Sequence, residues 1–412
     1  MARKKTQPPP HQAPNVLIVL LDTACYYLLS CYGKRKGTTP CMDGLAEEGM
    51  RFARTYANAP WTPPSHASLF SGLPLLAHGI GHDAIRRSHR MMDRRTRWTG
   101  RFPTMASALA GHGYHTLGVC SNNWVGSKSD AAWGFEDWIE DLNGSADKIA
   151  AMGKGKRCRH PATTNLLHWV DTRRRAGAPW FSFVNYTTPH VPRRPKPRFE
   201  KQFVRGRAKP YLKKINSANC FGALWKGELK PEDLPAFIDL YYAVGAQVDW
   251  EIEELLNGLR RRGELENTIV FLTADHGDEN AEHDLLDHQL CVYNTLTHIP
   301  LIAWAPGRIP AGRVVEQPAQ LSDVFPTVLD LVGLRGERER ARLRGVNLVH
   351  ELPELSLDRP AVSEYGLPWI TIAHCARAGV EENRILPYVR RLKAITRWPW
   401  KFIWGSDGRD EL

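Results

Sequence analysis

The feature that most constrains this chain is an uninterrupted apolar segment, residues 16–21, that ends abruptly at Asp22. An unbroken run of this length is typical of a strand that is buried on both faces of a parallel sheet. Similar runs occupy residues 180–186, 268–273 and 299–304, and helix-like segments separate them. Alternating strands and helices predict an α/β protein whose sheet is mostly parallel.

The composition of the chain changes towards its C-terminal end. Residues 335–344 are rich in charge and are expected to form a solvated helix or linker. Beyond them, short apolar segments at residues 361–365, 392–396 and 401–404 are typical of antiparallel strands. We therefore expect a flexible, basic and proline-rich N-terminus at residues 1–13, a catalytic domain at residues 14–333 and a small C-terminal subdomain at residues 345–412.

The composition is that of a globular protein, because 42% of the 412 residues are hydrophobic and 24% are charged. These values exclude a disordered chain and a fibrous repeat. The net charge of +11 favours polyanions, membrane surfaces or anionic small molecules as partners, without selecting among them. Eight cysteines are scattered without a C-x-x-C pair, so we expect buried thiols. The first apolar run is too short for a signal peptide or a membrane span, and we predict a cytoplasmic protein.

Polar side chains follow three of the predicted strands: Asp22, then His190, then Asp275 with His276. Ligands collect outside the carboxyl ends of parallel strands, so these side chains are expected to meet in one crevice. Two carboxylates and an imidazole suit Mn, Zn, Mg or Ca. Thr62 lies before two prolines at a predicted helix start, where an anion is held by positive potential. Taken singly, each motif is more often structural than catalytic.

Further motifs accompany these residues in a fixed order along nearly the whole chain: Cys31-Tyr32-Gly33, Thr38-Thr39-Pro40, Pro64-Ser65-His66-Ala67-Ser68-Leu69, Asp275-His276-Gly277, His298-Ile299-Pro300 and Lys401-Phe402-Ile403. With them, the chain resembles the sulfatase family of the alkaline-phosphatase superfamily. The resemblance implies an alkaline-phosphatase-like α/β fold, with a large, mixed, mostly parallel sheet flanked by helices and a small C-terminal antiparallel subdomain. It also implies a metal-dependent hydrolase of sulfate or phosphate esters.

The resemblance assigns roles to individual residues. It implies that one divalent ion (Mn, Zn, Ca or Mg) is held by Asp22, Thr62, Asp275 and His276. The catalytic residues that it implies are Thr62 as nucleophile, His190, and His288, which stands where many sulfatases carry a lysine. The substrate-binding residues that it implies are Ser65, His66, Asn122 and His298. For His298, which precedes a buried strand, the alternative of a residue that only ties down its loop stays open.

Position 62 departs from the pattern of the family. Classical sulfatases carry Cys or Ser there, because only those residues are converted to formylglycine, so no formylglycine is expected in this chain. The segment from Thr62 to His66 is more similar to the Thr-x-Pro-Asn-His motif of nucleotide pyrophosphatases/phosphodiesterases, whose threonine acts unmodified. Threonine offers a single hydroxyl, so its covalent ester is released only by attack at phosphorus or sulfur. We therefore predict that phosphodiester or phosphonate-ester cleavage exceeds sulfate-ester cleavage.

Several alternatives stay open at this stage. The same site would also serve a phosphodiesterase, a phosphonate hydrolase or a phosphotransferase. Departures from the family at Thr23, Cys25 and Asn122 are compatible with a catalytically weak homologue that binds anions. The basic residues between positions 86 and 101 are expected to form a solvated loop, or to rim the pocket together with Arg193, rather than to bind nucleic acid. The natural ester and the oligomeric state are left undecided.

Overall fold

The computed structural model of the protein describes residues 13–33, 35–81, 102–126, 129, 131–140, 160–204 and 221–412. The basic stretch at residues 86–101 and nearly all of the predicted N-terminal segment lie outside these ranges. Within the ranges, no helix is both long and apolar enough to cross a membrane. The division of the chain into domains at residues 333 and 345 stays a prediction.

Half of the described strands belong to one large sheet. Numbered β1 to β16 in chain order, the strands are Asn15–Leu21, Met50–Phe52, Thr55–Tyr56, His115–Cys120, Asp137–Glu140, Trp180–Tyr186, Thr268–Ala274, Glu279–Asn280, Leu286–Asp287, His298–Ile299, Leu301–Trp304, Arg313–Val315, Ala319–Gln320, Ala361–Tyr365, Leu392–Arg397 and Trp400–Gly405. The large sheet has eight strands in the order β12-β2-β11-β7-β1-β6-β4-β5. Within it, β11 pairs antiparallel with both neighbours, and the other described pairs are parallel. The predicted α/β fold with a mixed, mostly parallel sheet is confirmed.

Helices cover both faces of this sheet. Numbered α1 to α13 in chain order, the described α-helices are Pro40–Glu48, Thr62–Ser71, Leu75–His78, Met105–Gly111, Pro161–Thr172, Pro197–Phe203, Phe221–Trp225, Leu234–Arg260, Asn294–Thr297, Val324–Leu331, Gly336–Arg340, Trp369–Arg377 and Glu382–Ile385. On one face, Phe70 of α2 packs edge-on against Phe183 of β6. On the other, the hydroxyls of Thr163 in α5 and Tyr186 in β6 share a hydrogen bond. Because successive side chains of a strand point to opposite faces, these contacts place α2 and α5 on different sides.

One predicted strand is divided in the structure. The apolar run at residues 299–304 is interrupted at Pro300, which has no N–H to donate to a sheet ladder. The first part forms β10, which pairs with β3 in a separate small sheet, and the second part forms β11 of the large sheet. The long helix α8 and the three C-terminal strands lie within two residues of their predicted bounds.

The small C-terminal sheet, β14-β15-β16, is antiparallel as predicted. Its inner face carries Tyr365, Leu392 and Ile403, which form a hydrophobic cluster together with Trp61. Trp61 directly precedes Thr62 in the chain. The C-terminal sheet therefore supports the segment from which the predicted nucleophile projects.

Candidate active site

Two neighbouring strands of the large sheet bring three predicted metal ligands together. Asp22 follows β1, and Asp275 and His276 follow β7, which pairs in parallel with β1. Their ligand atoms all lie within 4.8 Å of one another. All three side chains are fully buried.

The polar atoms of this group fit a divalent cation. Asp22 Oδ1 and Asp275 Oδ2 are buried, and neither accepts a hydrogen bond from any described residue. Burying a carboxylate oxygen without a partner is costly, and a bound cation removes that cost. His276 bonds the carbonyl oxygen of Gly277 through Nδ1 at 2.8 Å, which leaves Nε2 with its lone pair as the ligand atom. Burial would raise the pKa of Asp275, but His276 and His66 outweigh it and hold that pKa below its usual value.

Thr62 stands at the first position of α2, beside the predicted metal ligands. The two prolines that follow it occupy the first turn, where a missing N–H costs no helix bond. The side chain is only 2% exposed. Its Oγ1 lies 3.2 Å from Nε2 of His276. The structure thus brings together all four predicted metal ligands, with the hydroxyl at a helix N-terminus.

The next two predicted residues, Ser65 and His66, contact the chain around the helix start. The Ser65 hydroxyl donates to the carbonyl oxygen of Ala59 at 2.7 Å. His66 Nδ1 lies 2.9 Å from the Thr62 carbonyl oxygen and 3.6 Å from Asp275 Oδ2. Both side chains are fully buried. The observed contacts hold the start of α2, and the substrate-binding role of the two residues stays a prediction.

Asn122 reaches the site from the end of β4. Its Nδ2 donates to Asp22 Oδ2 at 2.6 Å, and its Oδ1 accepts the N–H of Trp124 at 2.8 Å. Both ends of the amide are therefore used. This arrangement holds one oxygen of Asp22 and leaves Oδ1 of the same carboxylate for a cation.

Two further predicted histidines lie beside His276. The ring centroids of His276 and His288 are 4.5 Å apart, and those of His288 and His190 are 5.3 Å apart. His190 is partly exposed and hydrogen-bonds through Nδ1 to the carbonyl oxygen of Val191. The three imidazoles form a row that leads from the predicted metal ligands towards solvent.

His298 lies apart from this row. Its Nε2 donates to the carbonyl oxygen of Ala53 at 2.9 Å, and its ring stacks on Tyr26 with centroids 3.8 Å apart. Burial lowers the pKa of His298 to about 4, so the imidazole is neutral at physiological pH. These contacts fit the alternative that His298 anchors its loop. No described contact joins His298 to Thr62 or to the predicted metal ligands.

A second group of charged residues adjoins the site, and two of its members, Asp278 and Asp287, had no role in the sequence analysis. Asp278, Asp287 and His288 also place their ligand atoms within 4.8 Å of one another. Burial alone would lower the pKa of His288, but the carboxylates of Asp287 and Asp278 raise it well above its usual value. Arg193 is not on the rim of the pocket, since it is 1% exposed and forms an ion pair with Asp278. In the sequence, the one indication of this group was that Asp287 directly precedes His288.

Comparison with known proteins identifies the family of this chain. A family model described as "Sulfatase" matches residues 14–334. The chain belongs to the sulfatase family. This membership confirms the resemblance read from the motifs and makes the protein a sulfatase-family hydrolase.

Individual relatives of this sulfatase are distant. Arylsulfatase K of Danio rerio is 25% identical over 359 residues, which cover 79% of this chain and 65% of that protein. Among solved structures, a 2-O GAG sulfatase has a TM-score of 0.69 at 18% identity and covers 97% of this chain and 84% of its own. The phosphonate monoester hydrolase of Agrobacterium radiobacter has a TM-score of 0.67 at 20% identity, over 96% and 88% of the two chains. At these identities the two structures show a shared fold.

Proposed function

We propose that this sulfatase-family protein is a metal-dependent hydrolase of anionic sulfate or phosphate esters in which Thr62 is the nucleophile. One observation carries the proposal: the Thr62 hydroxyl lies 3.2 Å from His276 Nε2, beside two buried carboxylates that each have an unpartnered oxygen. A hydroxyl is seldom buried next to two acidic residues unless a cation compensates them. The arrangement therefore fits a Thr62 hydroxyl that a bound cation activates as the nucleophile.

The residues that would hold the divalent ion are Asp22, Asp275, His276 and Thr62. Such an ion lowers the pKa of a bound hydroxyl and stabilises negative charge on reacting oxygens. Three oxygen donors and one imidazole nitrogen suit Mn, Zn, Ca or Mg. Asn122 and the Gly277 carbonyl orient two of the ligands, as residues behind a metal site commonly do.

The reaction proceeds in two displacements. The Thr62 oxygen attacks phosphorus or sulfur, a bond to Thr62 forms, the ester bond breaks and its electron pair leaves with the alcohol oxygen. The hydroxyl proton of Thr62 passes to solvent, and the leaving oxygen gains a proton from His190 or His288. Water then attacks the same centre and releases Thr62 as a free hydroxyl. Transfer to another alcohol would differ only in this second step.

The chemistry of threonine favours phosphorus over sulfur. A formylglycine hydrate has a second hydroxyl that lets a sulfated intermediate break down by elimination, and Thr62 lacks that route. Its ester must be displaced at the central atom, which a metal assists well at a phosphoryl group. The presence of both sulfatases and phosphonate monoester hydrolases among the related structures supports either ester class for this fold. We expect phosphonate monoesters and phosphodiesters to be cleaved faster than sulfate esters.

The test is a panel of 4-nitrophenyl esters with Mn, Zn, Ca or Mg added to metal-free protein. The panel contains a sulfate, a phosphate monoester, a phosphodiester and a phosphonate monoester. Thr62→Ala should abolish turnover of every ester, whereas Thr62→Ser, which keeps a hydroxyl, should retain part of it. Expression in a host without a formylglycine-generating enzyme should not lower the activity. Hydrolysis by Thr62→Ala at the wild-type rate would remove Thr62 from the mechanism.

A further inference from the structure

We infer that Asp278, Asp287 and His288 form a second metal site, which binds a transition-metal ion such as Zn²⁺ beside the site proposed above. The inference goes beyond the proposed function and does not depend on it, because binding of this ion is measured without any turnover. None of the three residues belongs to the ligand set of the first site.

Two buried polar atoms point to a ligand at this place. Asp278 Oδ1 and His288 Nδ1 are buried, and neither has a hydrogen-bond partner among the described residues. Asp278 is fully buried and His288 is 8% exposed. A carboxylate oxygen and an imidazole nitrogen are costly to bury without partners, and a cation that both atoms coordinate removes that cost.

The side chains are already close to the spacing that one ion requires. His288 Nδ1 lies 2.5 Å from Asp287 Oδ1 and 3.8 Å from Asp278 Oδ1. Ligand atoms at about 2.0–2.2 Å from a four-coordinate zinc ion stand roughly 3.4 Å from one another. The two observed separations lie on either side of this value, so shifts of less than about 1 Å accommodate the ion.

The donor atoms select the class of ion. An imidazole nitrogen is a common ligand of Zn²⁺, Cu²⁺ and Ni²⁺, whereas Mg²⁺ and Ca²⁺ prefer sites built from oxygen atoms alone. Three protein ligands is also the usual number at a zinc site that keeps one position open. We therefore expect Zn²⁺ to bind here in preference to Mg²⁺ or Ca²⁺.

The loop that carries two of the three ligands is held by β14 and α12. Tyr365 Oη, at the end of β14, accepts the N–H of Leu290 at 3.1 Å. Thr371 of α12 donates to the side chain of Gln289. Ligands that are fixed before the ion arrives lose little conformational freedom when it binds. The anchored loop thus favours binding at this place.

Positive charge nearby limits the affinity of the second site. Asp278 forms an ion pair with Arg193 through its other carboxylate oxygen. The first site is also close, since the ring centroids of His276 and His288 are 4.5 Å apart. Both the guanidinium and an ion in the first site repel a further cation. We therefore expect the second ion to bind more weakly than the first and to be lost on dialysis.

The test is isothermal titration calorimetry, in which Zn²⁺ is added to metal-free protein. The wild type should bind two ions per chain in two resolved steps. Asp275→Asn should lose the tighter step and keep the weaker one. Asp287→Asn should keep the tighter step, and the dissociation constant of its weaker step should rise at least about 100-fold, since loss of a residue behind a ligand already costs 10–100-fold.

A matched control comes from the same loop. Asp284→Asn changes an exposed position with φ 57° and should keep both steps. Asparagine has the size of aspartate and tolerates left-handed backbone, so this variant and Asp287→Asn should both fold, which their melting temperatures check. A single step in the wild type would overturn the inference. A weaker step that is unchanged in Asp287→Asn would overturn it as well, because the second ion would then bind elsewhere.

A second measurement does not depend on the Asp287 variant. In ¹⁵N-labelled Asp275→Asn protein, the ring nitrogen signals of His288, assigned by their loss in His288→Gln, are followed by NMR as Zn²⁺ is added. The Nδ1 signal should shift and saturate at one ion per chain. His288 signals that do not respond to Zn²⁺ would overturn the inference. A wild-type protein that binds both ions but hydrolyses no ester would contradict the proposed function and support the second site.

Discussion

The side chain of Asn122 donates to Asp22 across 2.6 Å and thereby joins the ends of two strands that are not neighbours in the sheet. Asn122 follows β4 and Asp22 follows β1, and β6 lies between these strands. The contact is buried at both ends. It links the end of β4 to Asp22, the proposed metal ligand that follows β1.

Removal of this contact should weaken metal binding without unfolding the protein. In Asn122→Ala, Asp22 loses the donor that orients its carboxylate, and we expect the dissociation constant of the metal to rise about 10–100-fold, as for other residues behind metal ligands. Isothermal titration calorimetry, in which metal is added to metal-free protein, measures this dissociation constant. Asn123→Ala, at the exposed neighbouring position, is the control and should bind metal like the wild type. Unchanged metal affinity in Asn122→Ala would leave Asn122 as a substrate contact only.

The two histidines at opposite ends of the predicted site should respond in opposite ways to truncation. His190→Ala removes a partly exposed ring beside His288 and should lower kcat about 10²–10⁴-fold with little loss of stability. His298→Ala removes the donor to the partly buried Ala53 carbonyl and should destabilise the protein by about 1–3 kcal/mol with a small effect on kcat.

Urea unfolding and steady-state kinetics on the same preparations measure both quantities for His190→Ala and His298→Ala. If His298→Ala lost most of its kcat while its free energy of unfolding stayed near the wild-type value, the substrate-binding role predicted for His298 would be supported.

Stability should depend on pH through Asp249 of α8. This carboxylate accepts the N–H groups of Cys41 and Met42 at the start of α1, at 3.1 and 2.8 Å. Burial raises its pKa to about 7, although the two backbone bonds oppose the rise. Because the folded pKa exceeds the unfolded one, the proton stabilises the fold. That contribution is complete below about pH 4 and is lost as the pH rises through 7.

In Asp249→Asn the position no longer titrates. Between pH 4 and pH 8 the wild type should therefore lose up to about 4 kcal/mol of its free energy of unfolding that the variant does not lose. Chemical denaturation at several pH values measures the two curves. Asp239→Asn, on the same helix, serves as the control. Parallel curves for Asp249→Asn and the wild type would show that Asp249 is ionised in the fold throughout this range.

Metal analysis should distinguish the ligands from the nucleophile. The purified protein should carry about one divalent ion per chain, and Asp275→Asn should lose it, because the variant replaces a charged oxygen ligand by a neutral amide. Thr62→Ala should retain the ion, since three ligands remain. Inductively coupled plasma mass spectrometry of dialysed protein gives the ratio for each variant. A full metal complement in Asp275→Asn would contradict the proposed ligand set.

The parts of the fold that local pattern controls could be predicted from the sequence. Strands β1, β6 and β7 are apolar on both faces, so their continuous runs mark them almost to the residue. The convergence of Asp22, Asp275 and His276 was predictable for the same reason, because a polar residue at the end of such a strand stands at the edge where parallel strands end together. Thr62 was recognisable from its position before a helix that begins with prolines.

The remaining parts depend on contacts between residues far apart in the chain. Arg193 has the basic character of a surface residue, yet it pairs with Asp278, which is 85 positions away, and packs on Phe237 and Tyr241. No local pattern indicates that pairing. His298 belongs to a family motif, but the motif does not state that its imidazole turns to Ala53.

The central claim is that Thr62 becomes covalently bonded during turnover. The most direct measurement is mass spectrometry of peptides from wild-type protein that is acid-quenched while it hydrolyses 4-nitrophenyl phenylphosphonate. The account predicts a phenylphosphonyl group on the peptide that contains Thr62, and none in Thr62→Ala. Turnover with no adduct on Thr62, or an adduct on another residue that forms and decays at the catalytic rate, would contradict it.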